Sequence, residues 1–177
     1  MIDARPADTF QIAIDEEVLA DLHERLTRTC WPKSAPRGAA RAHGTSVDYM
    51  KKVVARWRDH YYWRVWERRL NQFEKYRVPL GAERLSVHVL VERGSRAENG
   101  AEPLPIILTH GWPGSIIELI ELVEPLAHPE RFGGHVEDAF TVIVPGIPGY
   151  GFSAAPSAPL SPRHCTVKKL ASSINCQ

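Results

Sequence analysis

Hydrophobic and polar positions alternate at the start of the chain, where Phe10, Ile12 and Ile14 are separated by Gln11 and Ala13. Period-two alternation over so short a span predicts a strand. Asp15 then stands where a helix N-cap is needed, ahead of apolar positions Val18, Leu19, Leu22 and Leu26 at helical spacing. Trp31-Pro32 ends that helix, because the residue before a proline is forced out of the α region, and Pro36, Gly38 and Gly44 continue a loop. A second helix is predicted to start at Ser46 with the face Tyr49, Met50, Val53, Val54 and Trp57. Asp59 to Phe73 reads as a further helix, anchored by Trp63, Trp66, Leu70 and Phe73.

From Arg84 the period changes back to two. Leu85, Val87, Val89 and Val91 alternate with Ser86, His88 and Leu90, which fits a strand with one better buried face. After a polar break, Leu104 to Leu108 forms a continuous apolar run, the pattern of a strand buried on both sides. Ile116 to Leu126 predicts a helix and Phe140 to Val144 a second buried strand. Strands that alternate with helices predict an α/β fold with a parallel sheet, preceded here by a helical meander.

Composition narrows the partners more than the fold. The 177 residues carry 22 Lys and Arg against 21 Asp and Glu, a formal net charge of +1, so no broad basic footprint for nucleic acid exists. Basic and aromatic residues do interleave from Arg56-Trp57-Arg58 through Arg64, Trp66, Arg68 and Arg69; the simpler reading is a helix that buries its aromatics and turns its arginines outward. Met1 to Phe10 holds Asp3 and Asp8 and no apolar signal region, and no apolar stretch approaches bilayer length. A cytoplasmic protein with no membrane partner is expected. Cys30, Cys165 and Cys176 form an odd set without metal-ligand spacing, and are read as free thiols. No cofactor or metal is expected.

Two segments carry candidate chemistry. Thr109-His110-Gly111-Trp112-Pro113-Gly114-Ser115 lies where a buried strand hands over to a helix, so its backbone N–H groups can face the carboxyl end of the sheet. Without a ligand it is a glycine-rich strand-to-helix turn. Val144 to Ser153 follows the next buried strand and taken alone is a rigid Pro/Gly turn. Its spacing is not that of a dinucleotide loop, and neither Ser115 nor Ser153 lies in a G-x-S-x-G elbow. Asp48 and Asp138 are read as a first-turn helix charge and a solvated loop residue.

Together, at this separation and behind this meander, the two segments resemble the epoxide-hydrolase family related to microsomal and juvenile-hormone epoxide hydrolases. Phe10 to Ile14 with Thr29-Cys30-Trp31-Pro32 is similar to the family's opening, and Tyr49 to Phe73 to its Trp-rich meander. His110 to Ser115 is similar to its HGWPGS, and Pro145 to Ser153 to its P-x-x-P-G-Y-G-F-S. The resemblance implies the first half of an α/β-hydrolase sheet, with residues 1–78 as meander, 79–160 as the first core strands and helix, and 161–177 as a divergent tail.

The family reaction implied is hydrolysis of a small-molecule epoxide to a diol. An aspartate opens the epoxide, lid tyrosines hold its oxygen, and a His–carboxylate pair activates water against the ester. By motif position, the Trp112 backbone N–H is the oxyanion-hole donor, the Trp112 side chain helps to line the substrate pocket, and His110 shapes the loop. Pro113 implies a cis peptide after Trp112. The family's nucleophile stands on the next strand-to-helix elbow, and Leu160 to Gln177 departs from the pattern. The expectation is therefore a truncated chain, inactive alone, with a non-catalytic module, one half of a split hydrolase, or a related esterase or dehalogenase as the competing readings. In the family's sheet the strand ending at Thr109 lies between the strand ending at Pro145 and the nucleophile strand. Leu104 to Leu108 is thus expected to present an apolar edge open to a C-terminal fragment or to self-association.

Overall fold

The computed structural model describes residues 8–33, 44–80, 84–98 and 100–157, which divide into two units, Ile12–Leu70 and a second formed by residues up to Gln11 and from Asn71 onward. Cys165, Cys176 and the expected divergent tail lie outside the described residues.

The Ile12–Leu70 unit contains α1 (Glu16–Thr27), α2 (Val47–His60) and α3 (Trp63–Leu70). Asp15 occupies the N-cap of α1 with extended backbone, but its side chain accepts no capping bond. Ser46 does cap α2, accepting the Tyr49 N–H at 3.2 Å. The predicted Asp59–Phe73 helix is shorter at both ends, because Tyr61 and Tyr62 break it and the chain leaves helical geometry after Leu70. Glu67 organises this unit: its carboxylate accepts the Ile14 N–H at 2.8 Å, the Trp63 indole N–H at 3.1 Å and an Arg64 N–H at 2.6 Å. These donors, the Ile14 N–H foremost, hold its carboxyl below the usual range although burial opposes them. The basic–aromatic stretch departs from the expected burial, since Trp57 stays 44% exposed. Its arginines are partly neutralised: Arg58 pairs with Asp59, and Arg64 with Glu16 and Glu67.

The second unit is a five-stranded sheet in the order β1-β2-β3-β5-β4, with β1 Asp8–Thr9, β2 Glu74–Leu80, β3 Leu85–Glu92, β4 Leu104–Ile107 and β5 Phe140–Pro145. β1, β2, β3 and β5 pair antiparallel in turn, and β4 lies parallel to β5. The parallel sheet expected from the sequence is in fact mixed, with only the β4–β5 pair parallel, because β2 and β3 join without a crossover helix; the expected bounds of the elements shift as well. Only Asp8–Thr9 forms the opening strand, though Phe10 adds one further bond from its N–H to Lys75 O at 2.9 Å. β2 is also a sheet strand, so residues 74–78, expected in the meander, lie in the sheet; Tyr76, Val78 and Leu80 supply its inward face. The expected helix from Ile116 opens as a 3₁₀ turn and becomes α4 (Ile120–Ala127), which packs against β5 and β3.

One face of the sheet buries Val78, Leu80, Val87, Val89, Val91 and Ile143 as a cluster. Val142, Val144 and Leu90 are fully buried through the alternate positions, which accounts for the continuous apolar run of β5. β4 is the edge of the described sheet, and Leu104 is 70% exposed there.

His88 on β3 is a polar residue set among aromatic rings. It is 1% exposed, packs edge-on against Phe10 and Phe152 at 5.3 and 5.4 Å, and has no hydrogen bond to either ring nitrogen. Burial, reinforced by Lys75 and Arg77, lowers its pKa to about 4. Its proton is therefore taken up more readily by the unfolded chain, whose imidazole titrates near 6.5. Stability is full above that value and falls as pH drops through the interval to about 4, by roughly 3 kcal/mol for the whole interval. Urea unfolding at pH 7.5 and 4.5 should show this loss, and His88→Phe should flatten it; an unchanged slope in the variant would refute the assignment to His88.

Candidate active site

Parallel pairing of β4 with β5 places their carboxyl ends side by side, and the chain leaves those ends through the two segments singled out in the sequence. In α/β sheets the carboxyl ends of neighbouring parallel strands are where ligands are commonly bound. In the first segment, Leu108 N–H still bonds Ile143 O at 2.9 Å, continuing the ladder by one residue before the turn.

His110 ties the two segments together. It is buried, and its Nε2 accepts the Ile147 N–H at 3.1 Å while Nδ1 lies 3.0 Å from the Gly111 carbonyl. An amide N–H can only donate and a carbonyl can only accept, so the proton sits on Nδ1 and Nε2 is bare. Both nitrogens are occupied by backbone, and the ring packs edge-on against Tyr150 at 5.6 Å. The arrangement holds loops in place and leaves His110 no nitrogen with which to move a substrate proton.

Trp112 follows on the exposed side of the turn. Its side chain is 81% exposed, its peptide to Pro113 is cis as the motif implied, and its backbone N–H makes no hydrogen bond among the described residues. Ser115 serves as a helix cap: its hydroxyl accepts the Ile117 N–H, and Glu118 returns to the Ser115 N–H at 3.3 Å, forming a capping box. Gly114 leaves the space in which that Glu118 carboxylate lies.

The second segment is closed by Ser153, whose part in the fold the sequence pattern does not reveal. Its buried hydroxyl donates to Gly146 O at 2.9 Å and accepts the His88 N–H at 3.0 Å, bracing the turn against β3. Gly146 N–H bonds His88 O at 2.9 Å, and a Cβ at position 146 would lie 3.0 Å from the Ser153 hydroxyl. Gly149 and Gly151 adopt φ of 84° and 56°, where a side chain is strained. Nothing local in the sequence announces the bond between Ser153 and His88, because 65 positions separate them. Asp48 and Asp138 are not buried, and stand in the first turn of α2 and in a 3₁₀ turn respectively. Among the described residues no group of His, Cys, Asp and Glu could hold a metal ion, and no helix is long and apolar enough to cross a membrane.

Residues 7–119 match the protein family described as "Epoxide hydrolase N terminus". This chain belongs to the epoxide hydrolase family. Among relatives, a Stigmatella aurantiaca (strain DW4/3-1) protein provisionally named an epoxide hydrolase is 43% identical over 148 residues, covering 84% of this chain and 32% of that protein. Epoxide hydrolase 1 of Oryctolagus cuniculus is 33% identical over 149 residues, covering 84% and 32%. The solved Aspergillus niger epoxide hydrolase superposes with a TM-score of 0.70 at 26% identity, over 89% of this chain and 39% of that one. Juvenile hormone epoxide hydrolase of the silkworm Bombyx mori superposes with a TM-score of 0.80 over 96% and 39%, and at 24% identity this shows a shared fold. The fold is accordingly the first part of an α/β-hydrolase sheet. The epoxide hydrolase segment in hand spans about a third of the length of the curated relatives it matches.

The paired loops make two expectations. His110→Ala leaves the Ile147 N–H and Gly111 O without their partner and should cost about 1–3 kcal/mol. Amide exchange at Ile147 should rise with it, and unaltered exchange there would contradict the tie. Ser153→Ala should cost a similar amount, about 1–3 kcal/mol in denaturant unfolding, since a buried N–H and a carbonyl both lose the hydroxyl.

Proposed function

We propose that this polypeptide supplies the oxyanion loop and front wall of a site that hydrolyses a small-molecule epoxide to a vicinal diol. The observation that carries the reading is the Trp112 backbone N–H, unengaged among the described residues and held on a loop that His110 pins to the neighbouring turn. A donor fixed before reaction and aimed where negative charge develops stabilises that charge without reorganisation. In the reaction proposed, an aspartate opens the epoxide to an ester and water then attacks the ester carbonyl; the Trp112 N–H receives the developing oxyanion. The Trp112 indole lines the epoxide pocket, and His110 shapes the loop without touching substrate.

The nucleophile comes from sequence beyond the residues in hand. Ser115 and Ser153 are engaged as cap and brace, Asp48 is a first-turn residue of α2, and Asp138 lies in the 3₁₀ turn that precedes β5, at the end of that strand opposite the two loops. β4 offers the place where the completing strand joins, since it is the open edge of the described sheet and exposes Leu104. That strand comes from a C-terminal fragment, or the edge is covered by self-association. An esterase or dehalogenase is the second reading, because the same loop geometry serves any ester intermediate.

Styrene oxide hydrolysis separates these readings. The 177-residue chain alone should form no diol above buffer, and the chain mixed with the C-terminal two-thirds of the Stigmatella aurantiaca relative should form it. Diol from the chain alone would overturn the placement of the nucleophile, and hydrolysis of p-nitrophenyl esters by the mixture with no diol would favour the esterase reading. In size-exclusion chromatography the chain alone should associate; a cooperatively unfolding monomer would count against the open edge.

A further inference from the structure

At the C-terminal end of α4, four side chains that no sequence motif joins form one hydrogen-bonded line. Ser95 Oγ lies 2.7 Å from His128 Nδ1, and His128 Nε2 lies 2.8 Å from a Glu92 carboxylate oxygen. The Ser95 hydroxyl donates to a Glu130 carboxylate oxygen at 2.8 Å, so its one proton is shared between that carboxylate and His128 Nδ1. A carboxylate only accepts, so Glu92 takes the Nε2 proton, and in the neutral form of the ring Nδ1 is the bare nitrogen that faces the serine. Hydroxyl, imidazole and carboxylate in that order are the components of an activated nucleophile.

The backbone holds this line in place. His128 N–H bonds Glu124 O at 2.7 Å at the end of α4, and Ser95 N–H bonds Ala127 O at 2.8 Å. Gly94 passes so close to β5 that a Cβ would lie 2.6 Å from Phe140 O, which fixes the approach to Ser95. His128 is buried while Ser95 is half-exposed and lines a groove of about 350 Å³ whose walls include Ala97, Pro103, Leu104 and Phe140. A shielded base behind an accessible hydroxyl at the wall of a groove is the arrangement that nucleophilic catalysis needs.

We propose that Ser95, His128 and Glu92 form a second, esterolytic centre, independent of the epoxide-hydrolase loops, that accepts acyl groups from small esters with good leaving groups. Ser95 Oγ attacks the acyl carbon and forms the new C–O bond, and the bond to the leaving oxygen breaks with its electron pair. The hydroxyl proton passes to His128 Nδ1 and on to the leaving oxygen; water, deprotonated by the same nitrogen, then releases the acid and restores Ser95. Glu92 is the positioning residue that keeps the Nδ1 face bare. Glu130 competes for the hydroxyl proton, and its carboxyl is held below the usual range chiefly by that hydroxyl. The groove carries Glu102, Glu137 and Asp138, so neutral or cationic esters fit better than anionic ones.

The test is labelling of the 177-residue chain with a fluorophosphonate probe, in which Ser95 Oγ displaces fluoride from phosphorus, with the modified peptide identified by mass spectrometry. An adduct on the Ser95 peptide is expected, absent in Ser95→Ala and formed about a hundredfold more slowly in His128→Gln. No adduct at Ser95, or one formed at an unchanged rate in a folded His128→Gln, would overturn the proposal. Because the buried His128 variant can fail to fold, Ser95→Cys provides a second arm: the introduced thiol should react with iodoacetamide at a lower pH than the exposed Cys30, and Glu92→Gln should shift that profile upward. Identical profiles for the introduced thiol and Cys30 would also overturn it. Neither readout involves epoxide turnover, so it stands or falls apart from the function proposed above.

Discussion

The bond from Ile147 N–H to His110 Nε2 is the constraint on which the site depends. Two loops that leave adjacent parallel strands have no reason of their own to stay together, since each is rich in glycine and each is connected to its own strand. A buried imidazole with both nitrogens committed to backbone supplies that reason. It fixes the tautomer, joins the turn after β4 to the turn after β5, and leaves Trp112, two residues on, projecting with its N–H unengaged among the described residues. The histidine of the motif is thus a tie between the two loops, and in the function proposed above the chemistry is left to a backbone donor.

The second turn is held by comparable means. Ser153 bridges Gly146 O and His88 N–H, so the turn after β5 is braced on β3 as well as on the neighbouring loop. His88 in turn has its ring enclosed by Phe10 and Phe152. The two ring nitrogens go without partners, a cost that neutral imidazole bears far better than imidazolium. Acid sensitivity and the bracing of the site therefore share one residue.

Much of this was legible locally. The apolar runs at Val87–Val91 and Phe140–Val144 mark two strands in nearly their observed places, because burial writes itself into adjacent residues; Leu104–Leu108 marks a third, but its expected burial on both sides is not met, since β4 is an edge strand with Leu104 and Pro105 exposed and Ile106 and Ile107 half-buried. The loop motifs were legible for the same reason. β2 was not: Lys75, Arg77 and Pro79 interrupt its apolar positions, and the Trp-rich helical pattern before it extends to Phe73. Asp15 and Glu67 show the limit more sharply. The residue that looked like the cap of α1 makes no capping bond, whereas the Ile14 N–H is satisfied by a glutamate 53 positions away. Bonds such as Ser153 to His88, or His128 to Glu92, join residues whose proximity exists only after the sheet has formed, and no spacing rule encodes them.

The central claim, that His110 serves as a neutral tie between the two loops, is tested most directly by nitrogen-15 NMR of its imidazole in the folded chain. The account predicts a protonated Nδ1 and a bare Nε2, with a hydrogen bond to the Ile147 amide seen as a through-bond coupling. A ring protonated at Nε2, or an imidazolium at neutral pH, would contradict it, because neither could accept that amide.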